Sequence, residues 1–195
     1  MSDIMRPIGF EHLIRWSLEE YRKEGSIFGL DKDKFYVNQS GSRFKTPFGE
    51  SIASAIGPAA GPHSQLAQNI LVSYLAGARF IELKTVQKMD GEEIRHAVAK
   101  PCINAEDECY NCEWSTELTV EEAFDEYVKA WVAIQVLAPE LGLSDGKDFA
   151  YNMSVGYDLE GIRLPKMDAF IEGLKDASAS PAFTESIAFL KGHLQ

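Results

Sequence analysis

Residues 51–86 constrain the fold more than any other stretch of this chain. A short apolar segment at residues 52–56 predicts a strand that is buried on both faces. A loop with little side-chain bulk follows, and apolar residues at helical spacing then predict a helix that Gly77 closes. Residues 80–86 return as a second strand. Because a helix joins the two strands, they are predicted to be parallel and to form a βαβ unit.

The loop of this unit and the end of its second strand are the first candidates for a site. Ala59, Ala60 and Gly61 leave the backbone nearly bare, so a flat ligand or another surface could approach it closely. Lys84 and Thr85 lie at the carboxyl end of the second strand, where parallel α/β proteins gather their ligands. Spacing alone leaves two interpretations open: a ligand site, or a tightly packed loop beside a solvated lysine.

A third strand is predicted at residues 148–154, after a helix that begins at a capping box of Thr119 and Glu122. Tyr127 and Trp131 lie on the apolar stripe of that helix and are predicted to be core residues. Asn152 falls near the carboxyl end of the third strand, on the same rim as the lysine. Its amide could donate to a ligand carbonyl or could brace the neighbouring loop.

The remaining segments divide the chain into two parts. Residues 1–50 are predicted to hold a first helix, which Gly25 ends, and a hairpin or covering segment anchored by aromatic residues. Residues 51–195 hold the βα units and two further helices. A closed (β/α)8 barrel takes eight strands and about 250 residues. The order of strands and helices in residues 51–195 fits the first part of such a barrel, but it supplies about three of the eight βα units. The chain is therefore predicted to be the N-terminal portion of a (β/α)8 TIM barrel and a fragment of a longer protein.

Composition limits the classes of partner and the cellular location that are expected for the protein. A net charge of -11 argues against nucleic acid as a main partner, because phosphate binding needs clustered Lys and Arg. No apolar run is long enough for a membrane span, and the first residues carry no secretory pattern. Three cysteines without an export signal predict a cytoplasmic protein.

The three cysteines fall in one predicted loop, at Cys102, Cys109 and Cys112. Cys109 and Cys112 form a CxxC pair, which is half of a zinc or iron-sulfur site. A complete site needs four ligands, and no second pair follows, so no metal is predicted. The alternative is a set of free thiols in an active-site loop.

Several separated segments carry a family resemblance. The sequence IGPAAGPHSQLAQN followed by FIELKTV resembles the opening of the flavin barrel of dihydroorotate and dihydropyrimidine dehydrogenases. It is closer still to the N-terminal region of the large bacterial proteins named as selenate reductase subunits. The segments MRPIGFEHLI, CINAEDECYN and NMSVGYDLEGI also fit that narrower family, and the similarity covers essentially the whole chain.

The resemblance implies a cofactor and roles for particular residues. In the superfamily the small-residue loop lies against FMN and the strand-two lysine contacts the isoalloxazine ring. These roles would fall here on Ala59, Ala60, Gly61, Lys84 and Thr85, and Asn152 could donate to a flavin edge. FAD, NAD(P)H and iron-sulfur clusters are expected only in the remainder of the parent protein.

The leading hypothesis is thus an N-terminal fragment of a flavin-dependent oxidoreductase, contributing part of an FMN site for NAD(P)H-linked reduction of a small molecule. Its partners would be the remainder of its own barrel and other redox modules or subunits, and the chain alone is expected to be inactive. Two alternatives stay open. Lys84 could be the Schiff-base lysine of a barrel lyase, because a strand-end lysine in an apolar barrel can be deprotonated. The chain could also be a non-catalytic assembly module.

Overall fold

The computed structural model describes residues 6–61, 64–84, 118–154 and 158–193. Helices and parallel strands alternate after an N-terminal helix and two small hairpins. In chain order the elements are α1 (Phe10–Glu24), β1 (Ser26–Ile27), β2 (Leu30–Asp31), a 3-10 turn (Lys32–Lys34), β3 (Phe44–Lys45), β4 (Ser51–Ile52), α2 (Ala67–Leu75), β5 (Phe80–Lys84), α3 (Val120–Glu140), β6 (Ala150–Ser154), α4 (Leu159–Ile162), α5 (Pro165–Lys175) and α6 (Pro181–His193).

Local signals place the ends of the helices where the sequence predicts them. Gly25 ends α1 in the left-handed conformation, with φ of 72°. Gly77 follows α2 at φ of 114°, and the amide of Ala78 donates to the carbonyl of Ser73, as in a Schellman motif. At the start of α3 the capping box is confirmed: the Thr119 hydroxyl accepts from the amide of Glu122, and the Glu122 carboxylate accepts from the amide of Thr119.

The regular parallel pair of the structure is formed by β5 and β6. Phe80 pairs with Ala150 and Lys84 with Ser154, so the two strands run in register over their whole length. One face of β5 carries Ile81 and Leu83, which are fully buried in the core that α2 and α3 help to form. Phe80, Glu82 and Lys84 alternate with these residues and therefore lie on the opposite face of the strand.

The predicted first strand differs from what the structure shows. A regular strand covers Ser51–Ile52 and pairs antiparallel with β3, so the prediction of a parallel strand at residues 52–56 is wrong. The chain nevertheless runs along β5: the Ile56 carbonyl accepts from the Phe80 amide at 3.3 Å and the Pro58 carbonyl from the Glu82 amide at 3.3 Å. The reciprocal bond of a parallel ladder is missing because Pro58 has no N–H.

A buried polar network joins the amino ends of β5 and β6. The Nε of Arg79 donates to Oδ2 of Asp148 at 2.7 Å, and both side chains are almost completely buried. The hydroxyl of Tyr74 donates to Oδ1 of Asp148 at 2.8 Å, and the Arg79 guanidinium lies 3.7 Å from the centre of the Tyr74 ring. Burial raises the pKa of Asp148, but hydrogen bonds from Arg79, Tyr74 and Ser144 outweigh it, so the pKa lies below its usual value. The network ties the two strands together at the rim opposite the candidate site.

The aromatic residues of α3 divide between core and surface. Tyr127 is fully buried, as predicted. Trp131 keeps 38% of its surface exposed, so the prediction that it is a core residue is only partly right. Its ring packs against Phe149 and Tyr151 at centroid distances of 4.6 and 5.0 Å, and it lines a groove of about 420 Å³ beside β6. Within the described residues β6 pairs only with β5, which leaves its outer edge and this groove open.

Candidate functional site

The candidate rim lies at the carboxyl ends of β5 and β6. Glu82 and Lys84 alternate with the buried Ile81 and Leu83, so they project from the face that points away from the helices. Asn152 pairs with Glu82 across the two strands and therefore shares that face. Asn152 lies two residue pairs before the pair of Lys84 and Ser154, which puts it about 8 Å from Lys84 between Cα atoms, from the spacing of a parallel sheet. Glu82, Lys84 and Asn152 are each half-buried.

The small-residue loop is held against β5 by a side chain that sequence reasoning missed. The amide of Ala60 donates to Oε2 of Glu82 at 2.9 Å. The amide of Gly61 donates to the hydroxyl of Ser64 at 3.1 Å, and this hydroxyl donates back to the Gly61 carbonyl at 2.9 Å. Two small residues and a carboxylate thus form one connected unit beside the end of the strand.

Close backbone contact brings the loop to the strand. A Cβ atom built on Gly57 would lie 1.5 Å from the carbonyl oxygen of Phe80, so the backbones approach at a distance that only glycine permits. The amide of Glu82 donates to the carbonyl of Pro58 one step further along. Ala59, Ala60 and Gly61 therefore follow directly from a segment that β5 holds in place.

The end of β5 is fixed from the helix side. The buried hydroxyl of Tyr127 donates to the backbone carbonyl of Lys84. Burial raises the pKa of Tyr127, so this hydroxyl keeps its proton and acts as a donor over the physiological pH range. Lys84 thus has a fixed backbone position at the rim. Thr85, the next predicted site residue, lies outside the described residues.

A second carboxylate that the sequence did not single out holds the start of α2. Glu126 is completely buried, accepts from the amide of Ala67 at 2.7 Å and forms an ion pair with Lys129. Burial raises its pKa above the usual value, against the opposing effects of Ala67 and Lys129. Lys129 in turn donates to the carbonyl of Ile8 at 2.8 Å, which ties the segment before α1 to α3.

The structure thus brings the described part of the predicted site to one rim. The loop of Ala59, Ala60 and Gly61 lies beside β5, and Lys84 and Asn152 project from the same sheet face. Glu82 could have been found from sequence, because it stands two residues before Lys84 on a strand whose alternate residues are apolar. Nothing in the sequence, however, tells which backbone amide its carboxylate meets.

Some of the other predicted features lie outside the residues that the structure describes. Cys102, Cys109 and Cys112 lie outside the described residues. Within residues 6–61, 64–84, 118–154 and 158–193, no group of three or more His, Cys, Asp or Glu side chains is arranged to hold a metal ion. Across the same residues, no helix combines the length and the apolar character that crossing a membrane requires.

The parallel pair of β5 and β6, with α2 and α3 on one face and Lys84 and Asn152 on the other, is an α/β arrangement of the kind from which parallel barrels are built. The family "Oxidoreductase YgfK, N-terminal TIM-barrel domain" matches residues 28–195. This chain therefore belongs to that family of N-terminal TIM-barrel domains.

Two relatives show the same similarity. The proteins described as "Putative oxidoreductase YgfK" in Escherichia coli (strain K12) and Escherichia coli O157:H7 are each 53% identical to the chain over 186 residues. The match covers 95% of this chain and 18% of each relative, so the chain spans about a fifth of their length. No solved structure matches the chain.

Proposed function

We propose that the chain supplies the first part of an FMN site in an NAD(P)H-linked oxidoreductase. The observation that carries the proposal is the rim itself: a nearly bare loop, fixed to β5 by Glu82, beside Lys84 and Asn152 on one sheet face. This is where parallel barrels bind their ligands. The family to which the chain belongs is named for an oxidoreductase, which supports redox chemistry in the complete protein.

The groups at the rim fit the ring of a flavin better than its phosphate. Ala59 and Ala60 offer small apolar surfaces for a flat ring, while Lys84 and Asn152 supply donors for the carbonyl and nitrogen atoms at its edge. The amides of Ala60 and Gly61 are already bonded within the chain, so this loop is not a phosphate cradle. Barrels of this kind take their phosphate grip from the loops after strands seven and eight.

Each residue has a defined task in this proposal. The Lys84 ammonium would stabilise negative charge on the ring that lies against it, and Asn152 would donate to a ring carbonyl. The loop would exclude water from one side of the ring. When bound, FMN would supply the hydride chemistry, and these residues would orient the ring and adjust its electronics.

The rest of the barrel would come from the remainder of the parent protein. The outer edge of β6 is open within the described residues, and the adjoining groove is lined by Trp131, Phe149 and Phe183. A following parallel strand would pair with this edge and bury its apolar side chains in the groove. FAD, NAD(P)H and iron-sulfur modules belong to that remainder in this proposal, which also keeps the cytoplasmic location that the sequence predicts.

The first test is the visible absorption spectrum of the full-length parent protein and its Lys84→Ala variant. We expect a flavin spectrum in the parent that is weaker or shifted in the variant. Lys147→Ala is the matched control, because Lys147 is exposed and precedes β6 at the opposite rim. A parent that stays colourless after reconstitution with FMN contradicts the proposal. Borohydride trapping of Lys84 with a carbonyl substrate would then support the Schiff-base lyase. A Lys84→Ala variant with the same activity and colour as the parent protein would support an assembly role.

A further inference from the structure

Glu82 is an unusual residue for the inner face of a barrel strand. Glu82 is half-buried and shares a sheet face with Lys84 and Asn152. Burying even part of a carboxylate costs free energy unless hydrogen bonds compensate for the lost water. One such bond comes from the amide of Ala60, at 2.9 Å and 22 residues away in sequence. Within the part of the chain that the structure describes, the Glu82 carboxylate is thus bonded to the candidate loop.

Hydrogen bonds within the chain set the directions in which the backbone amides of the loop point. The N–H of Ala60 points to Glu82 and the N–H of Gly61 to the hydroxyl of Ser64. Pro58 and Pro62, on either side of these residues, have no N–H at all. With the amides of Ala60 and Gly61 directed to partners within the chain and no N–H on Pro58, the loop offers methyl groups and backbone more than a cluster of donors. It is suited to van der Waals contact with a ring.

We propose that Glu82 is the positioning residue of the cofactor loop. It fixes the height of Ala60 above the end of β5, and thereby where the loop lies relative to Lys84 and Asn152. This inference rests on the proposed function and deepens it, since it names the residue that positions the loop against the ring. Glu82 acts through Ala60 and needs no contact with the cofactor.

The test compares two flavins on the full-length apoprotein, with affinity measured by quenching of flavin fluorescence. FMN and riboflavin share the ring and differ in the phosphate. Glu82→Ala removes the acceptor, whereas Glu82→Gln keeps an oxygen that can accept from Ala60. Glu82→Met, of similar length and without an acceptor, replaces the alanine variant if that variant does not fold.

Glu20→Ala is the matched control. Its carboxylate accepts from the amide of Gly29 at 2.8 Å, which is the same kind of bond at a site far along the chain from the rim. This variant loses a carboxylate–amide bond without touching the candidate loop. Both flavins should bind to it as they bind to the wild-type protein.

Loss of a hydrogen bond to a charged group predicts roughly tenfold weaker binding of both flavins to Glu82→Ala, by the same factor. Glu82→Gln should stay within about threefold of wild type, since it keeps the bond. Unchanged affinity in Glu82→Ala, a loss confined to FMN, or a Gln variant as weak as the Ala variant would each overturn the positioning role. A wild-type protein that binds neither flavin would instead overturn the proposed function and, with it, this inference.

Discussion

The buried pair of Arg79 and Asp148 gives the sharpest prediction about stability. Asp148→Ala removes the carboxylate that accepts from Nε of Arg79 at 2.7 Å and from the hydroxyl of Tyr74 at 2.8 Å. The Arg79 side chain is fully buried, so its charge would stay in the interior without its ion-pair partner. Two backbone carbonyls, those of Tyr74 and Ala78, would still accept from the guanidinium, at 2.6 and 2.9 Å.

The expected loss in the free energy of unfolding comes from the Arg79 charge, which stays buried without its ion-pair partner. Removing one partner of a buried ion pair typically costs about 3–5 kcal/mol, more than the pair itself contributes. For a domain of this length, that corresponds to a fall in the melting temperature of roughly 6–20 °C. The double variant Arg79→Met, Asp148→Ala removes both charges, so it should cost less than the sum of the two single variants.

Urea unfolding of the chain followed by tryptophan fluorescence measures these differences, because Trp131 packs against Phe149 next to the pair. Glu172→Ala is the control, since Glu172 forms an exposed ion pair with Lys175, and should change the free energy of unfolding by less than about 1 kcal/mol. A similarly small effect of Asp148→Ala, or a double variant as costly as the summed singles, would refute the reasoning.

The same pair predicts how stability depends on pH. The folded pKa of Asp148 lies below its ordinary value of 3.8, so its contribution is fully present above that value and is lost as the pH falls through the folded pKa. In Asp148→Asn the decline of the free energy of unfolding below about pH 4 should therefore be shallower than in the wild type. Urea unfolding at a series of pH values checks this, and parallel curves for the two proteins would contradict it.

Two further predictions concern backbone geometry. Thr119→Ala should cost about 1 kcal/mol by removing the hydroxyl that accepts from Glu122, as measured by urea unfolding, whereas Thr119→Ser should restore most of it. Equal loss in both variants would contradict the capping role. Gly57→Ala should displace the loop, because the new methyl would lie 1.5 Å from the Phe80 carbonyl oxygen, and should weaken flavin binding by the full-length protein. Gly192→Ala, whose methyl meets nothing within 4 Å, is its control, and equal flavin binding by both variants would count against the close contact.

Sequence alone determined the elements whose signals are local. The capping box at Thr119, the glycine ends of α1 and α2 and the buried alternation of β5 all depend on residues within a few positions of one another. Such hydrogen bonds and periodicities depend on residues that are close together in the sequence. They were therefore predictable without knowledge of what each element packs against. They also sufficed to place Lys84 at a strand end.

Tertiary structure decided the contacts between distant segments. Residues 51 and 52 pair antiparallel with β3, and further along Pro58 lacks the donor that would complete a parallel ladder with β5; both effects depend on which segment lies alongside. Trp131 keeps part of its surface exposed because it stands at the open edge of β6, although its helical spacing is that of a core residue.

The candidate site shows the same division. The sequence supplies the loop, Lys84 and Asn152, but only the register of β5 and β6 puts Asn152 opposite Glu82. Only the folded chain brings the Glu82 carboxylate to the Ala60 amide and Arg79 to Asp148, 69 residues away. Periodicity records which face of an element is apolar, whereas the partner of a single polar group is fixed by how the elements pack.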